Sequence, residues 1–180
     1  MVPFRLLNLP LLAFENVLKQ CELMDIFELS LSSSKIREKI VKPVNLLVTH
    51  ARWMTYEHLV SLENEHIFMR FNRFNDLLLN CFLHRWLSGN DCKMKTLTVG
   101  ICEFLDKSCL FRGLQVLEFD EKRRSKTYEY KYFSKNVIRS FEHGSDILRQ
   151  DGLLCTVAII RDYFYFVVWH ERFPVIESVV

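Results

Sequence analysis

Three short helical patterns fill the first 43 residues, and they constrain the fold more than any other part of the sequence. The first pattern begins at Pro10, which suits the first turn of a helix because its missing N–H would have no partner there. Its apolar residues recur at helical spacing on one stripe, namely Phe14, Val17, Leu18 and Cys21. The second pattern runs over 23–31, and the third starts at a serine cap at 33 or 34 and ends before Pro43. Helices this short cannot bury all their apolar surface against one another, so the sequence predicts a docking surface.

The same stretch resembles the F-box, and more narrowly the F-box of the nematode families of short F-box proteins. The residues that carry the resemblance are Leu9-Pro10, Val17-Leu18 and the run Leu29-Ser30-Leu31 that leads into Ser34-Lys35. An F-box is a three-helix module that docks on a Skp-type adaptor, which is itself bound to a cullin–RING ubiquitin ligase. The resemblance therefore implies adaptor contacts at Leu9, Pro10, Val17, Leu18, Ile26 and Leu29. The tryptophan common near the end of the third F-box helix is absent, which implies weaker docking. An ordinary amphipathic helical hairpin within a core is the alternative.

The composition is that of a chain that builds a core and works in a reducing compartment. Of its residues, 49% are hydrophobic, 15 are Phe and only 5 are Gly. The formal charge of +2 gives no global field for nucleic acid or membrane, and no apolar run spans a bilayer. Glu15 and Lys19 interrupt the amino-terminal apolar stretch, which argues against a signal peptide. The 6 Cys lack metal-ligand spacing, so we expect free thiols, no metal, no cofactor and a cytoplasmic or nuclear location.

The middle of the chain predicts a mixture of helices and strands. Residues 44–49 and 67–71 favour strands, and 51–62 fits a helix loosely. A clear amphipathic helix covers about 74–87, with Asn75 or Asp76 as its amino-terminal cap and Gly89 ending it in a left-handed conformation. Strands are expected at 95–99 and 114–119. The alternation has a period near that of leucine-rich repeats, so we predict an α+β fold that is possibly LRR-like in part.

The carboxyl-terminal part predicts antiparallel β structure. Asp151-Gly152 is a strong hairpin turn, strand 153–160 follows, and the aromatic run 163–169 reads as a central strand. Together with the helix that ends in Trp86-Leu87, this order resembles the F-box-associated (type 2-like) domain of the same families. The resemblance implies an F-box at 1–43, a linking segment at 44–73 and an F-box-associated domain at 74–180. The linking segment is short for the family, so part of the associated domain is expected to be missing.

Segment 120–135 is the most polar part of the chain and supports two interpretations. Basic and aromatic residues alternate there, a pattern that can hold a nucleic-acid backbone and stack bases. On that interpretation, a target or nucleic acid would be contacted by Arg123, Arg124, Lys126 and Tyr128. The alternative is a solvated loop that enters an edge strand, with its tyrosines on the packed face.

No catalytic motif accompanies these patterns. A thiol–imidazole pair between Cys109 or Cys155 and His143 or His170 is the enzymatic alternative, a small thiol hydrolase. The interpretation that accounts for most of the sequence is a non-catalytic adaptor whose partners are a Skp-type adaptor, through it a cullin–RING ligase, and a target protein.

Overall fold

The chain divides into two compact units, Met1–Pro43 and Val44–Val180. The structure, a computed structural model, describes residues 45–89, 93–102, 104–132 and 135–169, all of which belong to the second unit. The predicted three-helix F-box and its six adaptor contacts therefore lie outside the described residues. The assignment of domains at 1–43, 44–73 and 74–180 stays a prediction.

The described residues form eight strands and three helices. In chain order these are β1 Asn45–Val48, α1 Tyr56–Val60, β2 His66–Met69, α2 Asp76–Ser88, β3 Thr96–Gly100, α3 Lys107–Leu110, β4 Thr127–Tyr132, β5 Lys135–Ser140, β6 Ser145–Leu148, β7 Leu154–Ile160 and β8 Tyr163–Trp169. The fold is mixed α+β, and its carboxyl-terminal part is rich in sheet, as the sequence predicts. No helix in these ranges is long and apolar enough to cross a membrane.

Six of the described strands form one mixed sheet in the order β1-β2-β3-β8-β7-β6. β1, β2 and β3 are parallel, and β8, β7 and β6 follow in antiparallel pairs. α1 joins β1 to β2 and α2 joins β2 to β3, because neighbouring parallel strands need a crossover connection. β4 and β5 pair with each other in a separate two-stranded sheet.

The aromatic run at the end of the chain is a central strand, as predicted, and it is covered on both faces. β8 lies between β3 and β7, and its successive side chains point to opposite faces. Phe166 packs edge-to-face against Phe82 and Trp86 of α2, with ring centroids 5.1 and 5.3 Å away. Tyr165 faces the other side, where it meets Phe141 just beyond β5 at 5.9 Å. The helices and the β4–β5 hairpin therefore form two outer layers around the sheet.

Helix α2 begins as predicted and ends differently. The Asn75 side chain accepts a hydrogen bond from Leu78 N at 3.0 Å, which makes Asn75 the amino-terminal cap. The left-handed ending at Gly89 is wrong, since Gly89 has φ −93° and ψ 165° and is extended. The Trp86 carbonyl accepts from Gly89 N at 3.4 Å and also from Arg149 Nη1 at 3.3 Å, so a distant residue adds to the closure of the last turn.

The predicted strand at 114–119 is also wrong. Its contact with the sheet is one isolated bridge in which Leu117 and Asp146 exchange two backbone hydrogen bonds of 2.8 Å. Most of the segment is exposed or half-buried, and it follows a turn at Gly113 with φ +73°. An apolar run that meets its neighbouring strand at one residue pair and has no buried face does not form a ladder.

Candidate functional site

The carboxyl ends of β1, β2 and β3 meet at one edge of the sheet because the three strands are parallel. The β7–β8 turn reaches the same edge, where Ile101 N donates to the Asp162 carbonyl at 2.7 Å. We call this the carboxyl edge and define it by the loops 49–55, 70–75 and 101–106 together with the turn 161–162. In open sheets of this kind, ligands bind in the loops that follow the carboxyl ends of the strands.

Phe71 is the most unusual residue of the carboxyl edge. Its φ of +47° is an outlier for a bulky side chain, and its ring is 46% exposed. The residues on either side hold it there. Asn72 is buried and donates to the Gly100 carbonyl at 2.7 Å, and its own Oδ1 accepts from Phe74 N at 2.9 Å. Strain of this kind persists only where the surroundings impose it, and it concentrates at binding sites.

Two neighbours extend the surface around Phe71. The imidazole of His50, from the loop after β1, stacks on the Phe71 ring with centroids 5.5 Å apart. The guanidinium carbon of Arg70 lies 5.4 Å from the same centroid. The result is an exposed aromatic and basic patch across the ends of β1 and β2.

A groove continues this surface past the end of β3. It has a volume of about 580 Å³ and runs between the loop after β3 and the β7–β8 turn. Phe104 lies at the side of this groove, and 94% of its surface is exposed. Leu77 of α2 is 53% exposed nearby, on the helix whose Asp76 Oδ2 accepts from Asp106 N at 3.3 Å. The groove is lined by Ile101, Cys102, Phe104, Leu105, Asp106, Lys107, Ile159, Arg161 and Asp162.

The carboxyl edge carries charges of both signs. Its exposed described cations are Arg52, Arg70, Arg73, Lys107 and Arg161, and none of them forms an ion pair with another described residue. Its described carboxylates are Asp76, Asp106 and Asp162, and Glu103 of the same loop lies outside the described residues. Asp106 caps α3 by accepting from the backbone N and the hydroxyl of Ser108 at 2.9 and 2.8 Å, and these bonds lower the pKa of Asp106. Asp76 accepts from Leu77 N at 2.8 Å.

The structure places Arg124, one of the sequence-predicted contact residues, in the interior. Its Nε donates to both carboxylate oxygens of Asp146, at 2.7 and 2.9 Å, and both side chains have 0% exposure. Nη2 donates to the Phe141 carbonyl at 2.9 Å, and the Phe119 ring centroid lies 4.6 Å from the guanidinium carbon. An arginine held in this way has no surface from which to reach a phosphate.

The other three residues predicted with Arg124 occupy different environments. Arg123 is half-buried and donates from Nη2 to the Glu118 carbonyl. Lys126 is exposed and pairs with Glu142 at 2.6 Å. Tyr128 packs edge-to-face on Trp169 at 5.0 Å, and burial raises its pKa to about 12. Tyr128 and Tyr130 are both half-buried, and Thr127 and Glu129 are exposed, the arrangement of a strand with its tyrosines on the packed face.

Cys155, one of the two candidate thiols of the thiol–imidazole pair, lies in the interior. This thiol is fully buried in β7, and burial, followed by the charge of Asp146, raises its pKa well above the ordinary value. Cys109 is half-buried in α3, His143 is exposed, and His170 lies outside the described residues. Within the described ranges, no group of three or more His, Cys, Asp or Glu residues is placed to hold a metal ion.

Sequence reasoning missed the carboxyl edge altogether. Phe71 and Phe104 look like ordinary core residues in the sequence, and their exposure becomes visible only when both flanking segments are placed. The one usable signal is positional, because Phe71 is the last residue of the predicted strand 67–71 and Phe104 lies in the loop after the predicted strand 95–99, and loops often carry function.

Comparison with known proteins finds one family model and two relatives that match part of the chain. Residues 23–99 match the family model described as F-box associated, a stretch that ends within β3. The chain is also similar to two uncharacterised proteins of Caenorhabditis elegans. F59B2.8 is 31% identical over 135 residues, which is 72% of this chain and 31% of that protein. F59B2.9 is 24% identical over 148 residues, which is 79% of this chain and 34% of that protein. The chain thus spans about a third of the length of these relatives. No solved structure matches it significantly.

Proposed function

We propose that this chain is a non-catalytic substrate-recognition adaptor of a Skp–cullin–F-box ubiquitin ligase. The observation that carries the proposal is the F-box-associated match over residues 23–99, which overlaps the end of the stretch that resembles an F-box, 1–43, and continues beyond it. In this function the Skp-type adaptor is bound by Leu9, Pro10, Val17, Leu18, Ile26 and Leu29, and a target protein is bound by the second unit. The location would be the cytoplasm or the nucleus, where the ligase components meet their targets.

The chemistry in such an assembly belongs to the partners. The chain contributes proximity, since holding a target beside a ubiquitin-charged enzyme raises the effective concentration of the target's lysines. What it needs is one surface for the ligase and a second surface for the target.

The carboxyl edge has the properties of the second surface. Interfaces are anchored by a few aromatic and arginine side chains, and this edge exposes Phe71 and Phe104 together with several arginines. It also directly follows the strands that the family match covers.

Co-purification tests the ligase half of the proposal. The full-length chain and its Leu9→Ala/Pro10→Ala variant are co-expressed with a Skp-type adaptor and isolated through a tag on the chain. We expect the wild type to retain the adaptor and the variant to lose it. Pro3→Ala/Leu6→Ala is the matched control, since it removes the same two residue types outside the predicted interface and should retain the adaptor. If the folded wild type retains no adaptor, the proposal is wrong.

The nucleic-acid-binding alternative at 122–135 stays a prediction without an observation in its favour. Arg124 is buried and Lys126 is paired with Glu142, so the segment presents fewer free cations than its sequence suggests. A steep fall of nucleic-acid affinity with rising salt would support this alternative, because contacts with phosphates release counterions.

A further inference from the structure

We infer that the loops after β1 and β2 bind an acidic peptide segment, whose carboxylates meet arginines grouped around an exposed aromatic pair. We call this surface the arginine patch and define it by His50, Arg52, Arg70, Phe71 and Arg73. The inference rests on the proposed function, because such a segment would be the part of the target protein that the chain recognises. It deepens that function by naming where the target binds and which charge it carries there.

The ionised side chains of these two loops have one sign. Loops 49–55 and 70–75 lie entirely within the described residues, and together they contain Arg52, Arg70 and Arg73 but neither Asp nor Glu. The three arginines are exposed, and none of them forms an ion pair with another described residue. A surface with three cations and no carboxylate of its own complements an acidic partner and disfavours a basic one.

The carboxylates that border the two loops are bonded to other parts of the chain. Asp76, which follows loop 70–75, accepts from Leu77 N at 2.8 Å through one oxygen and from Asp106 N at 3.3 Å through the other. Glu57, two residues beyond loop 49–55, accepts from the Thr55 side chain, and this bond lowers the pKa of Glu57. Both carboxylates lie in the first turns of helices, where negative charge is stabilised. The other described carboxylates of the carboxyl edge lie beyond β3.

Hydrogen bonds hold the two loops side by side. Ala51 N donates to the Arg70 carbonyl at 3.0 Å, which joins the loop after β1 to the loop after β2. The buried Asn72, which bonds to the end of β3, follows Phe71 and its φ of +47°. The His50 imidazole stacks on the Phe71 ring with centroids 5.5 Å apart. A partner therefore meets a backbone and an aromatic pair that are already in place, and less conformational freedom is lost on binding.

The arginines surround the aromatic pair. Arg52 and Arg73 each follow a member of the pair by two residues, so their Cα atoms lie at most about 7 Å from those of His50 and Phe71. The guanidinium carbon of Arg70 is 5.4 Å from the Phe71 ring centroid. Arginine holds a carboxylate through two parallel hydrogen bonds. The Phe71 ring, 46% exposed, packs against the stems of the same acidic side chains.

An acidic peptide fits these features better than a single-stranded nucleic acid does. A nucleic acid is held by a continuous basic track with aromatic faces on which successive bases stack. The patch has one exposed Phe ring, and His50 already stacks on one of its faces. Its run of cations is bounded by Glu57 on one loop and Asp76 on the other.

Selection from a displayed library of random peptides on the purified full-length chain tests the inference. We expect the recovered peptides to be enriched in Asp and Glu. Fluorescence anisotropy with the labelled peptides measures their affinity, which should fall by about tenfold or more in Arg70→Gln/Arg73→Gln, as for the loss of two charge-assisted contacts. Both side chains are exposed, so the double variant should keep the circular-dichroism spectrum and melting temperature of the wild type.

A matched control separates the patch from the net charge of the chain. Arg85→Gln/Lys122→Gln removes the same two positive charges from exposed positions outside the patch. Arg85 lies in the last turn of α2, the end of the helix away from the carboxyl edge, and Lys122 precedes β4. This control should bind the selected peptides as tightly as the wild type does.

Four outcomes would overturn the inference. They are a library that yields no binder, binders without acidic enrichment, equal affinity of the patch variant and the wild type, and an equal loss of affinity in the control. Tighter binding of a single-stranded oligonucleotide than of any selected peptide, lost in the patch variant, would assign the patch to nucleic acid instead.

Retention of the Skp-type adaptor in the same preparations tells the two proposals apart. A chain that retains the adaptor and binds no acidic peptide keeps its ligase role and loses only this site. A chain that binds acidic peptides through the patch and retains no adaptor keeps the site and loses the ligase role.

Discussion

Arg124 and Asp146 form an ion pair that no solvent reaches, with Nε of the arginine 2.7 and 2.9 Å from the two carboxylate oxygens. Asp146 also accepts from the Thr156 hydroxyl at 2.7 Å, and Trp169 Nε1 donates to that hydroxyl oxygen at 2.8 Å. Burial raises the pKa of Asp146, against the opposing effects of the Thr156 hydroxyl and the Arg124 charge. The network ties the segment before β4 to β6, β7 and β8.

Removal of one partner from this pair should be strongly destabilising. We expect Arg124→Met to lower the free energy of unfolding by about 3–5 kcal/mol, because it leaves the Asp146 carboxylate buried without its counter-ion. Urea denaturation measures the effect. Lys126→Met is the control, since it breaks the exposed pair with Glu142 and should cost far less. Arg124→Met/Asp146→Leu should recover much of the loss, and equal costs for the single and double variants would contradict the argument.

Gly144 should not tolerate a side chain. A Cβ at this position would lie 2.4 Å from Thr156 Cγ2, 3.1 Å from the Phe141 carbonyl oxygen and 3.3 Å from that of Val157. We therefore expect Gly144→Ala to lower the free energy of unfolding by about 1–3 kcal/mol through overpacking. Gly100→Ala is the control, because its nearest contacts would be at 3.4 Å. Thermal denaturation compares the two, and an equal effect would show that the crowding at Gly144 is relieved at little cost.

Phe71 and Phe74 should respond in opposite ways to truncation. Phe71 is exposed and has φ +47°, so Phe71→Gly should leave the free energy of unfolding within about 1 kcal/mol, as the relief of strain offsets the added chain entropy. Phe74 is 7% exposed, and Phe74→Ala should cost about 3–5 kcal/mol. Chemical denaturation measures both. A large loss in Phe71→Gly would mean that this ring stabilises the fold and is not set aside for a partner.

Tyr128 should make the fold sensitive to alkali. Burial raises the pKa of its hydroxyl from 10.0 to about 12. Above pH 10 the unfolded chain therefore releases this proton while the folded chain keeps it, and the stability falls as the pH rises from 10 towards 12. We expect the free energy of unfolding to fall less between pH 10 and pH 12 in Tyr128→Phe than in the wild type, because the variant lacks this proton. Denaturant titrations at a pH below this window and at one within it measure the fall. The same slope in both proteins would contradict the assignment.

The elements predicted correctly are those whose pattern is local. Asn75 caps α2 because its side chain bonds to a backbone group three residues away, and the Asp151-Gly152 turn between β6 and β7 forms with Gly152 at φ +84°. The errors at Gly89 and at 114–119 have a different origin. A strand at 114–119 would need a partner along its length, and β6 meets it only where Leu117 pairs with Asp146. At the end of α2, Gly89 is extended, and Arg149 donates to the Trp86 carbonyl from far along the chain.

The sequence alone determined the secondary-structure content, the antiparallel carboxyl-terminal hairpin and the resemblance to an F-box-associated chain, because short-range periodicity and turn chemistry carry that information. The tertiary structure decided which side chains reach solvent. Arg124 is polar and lies in a basic run, yet it is buried in an ion pair with Asp146. Phe71 and Phe104 are apolar, yet both are exposed to solvent in their loops. Exposure depends on which distant segments pack together, and no local pattern records that. The candidate site therefore became visible only once the strands had been paired.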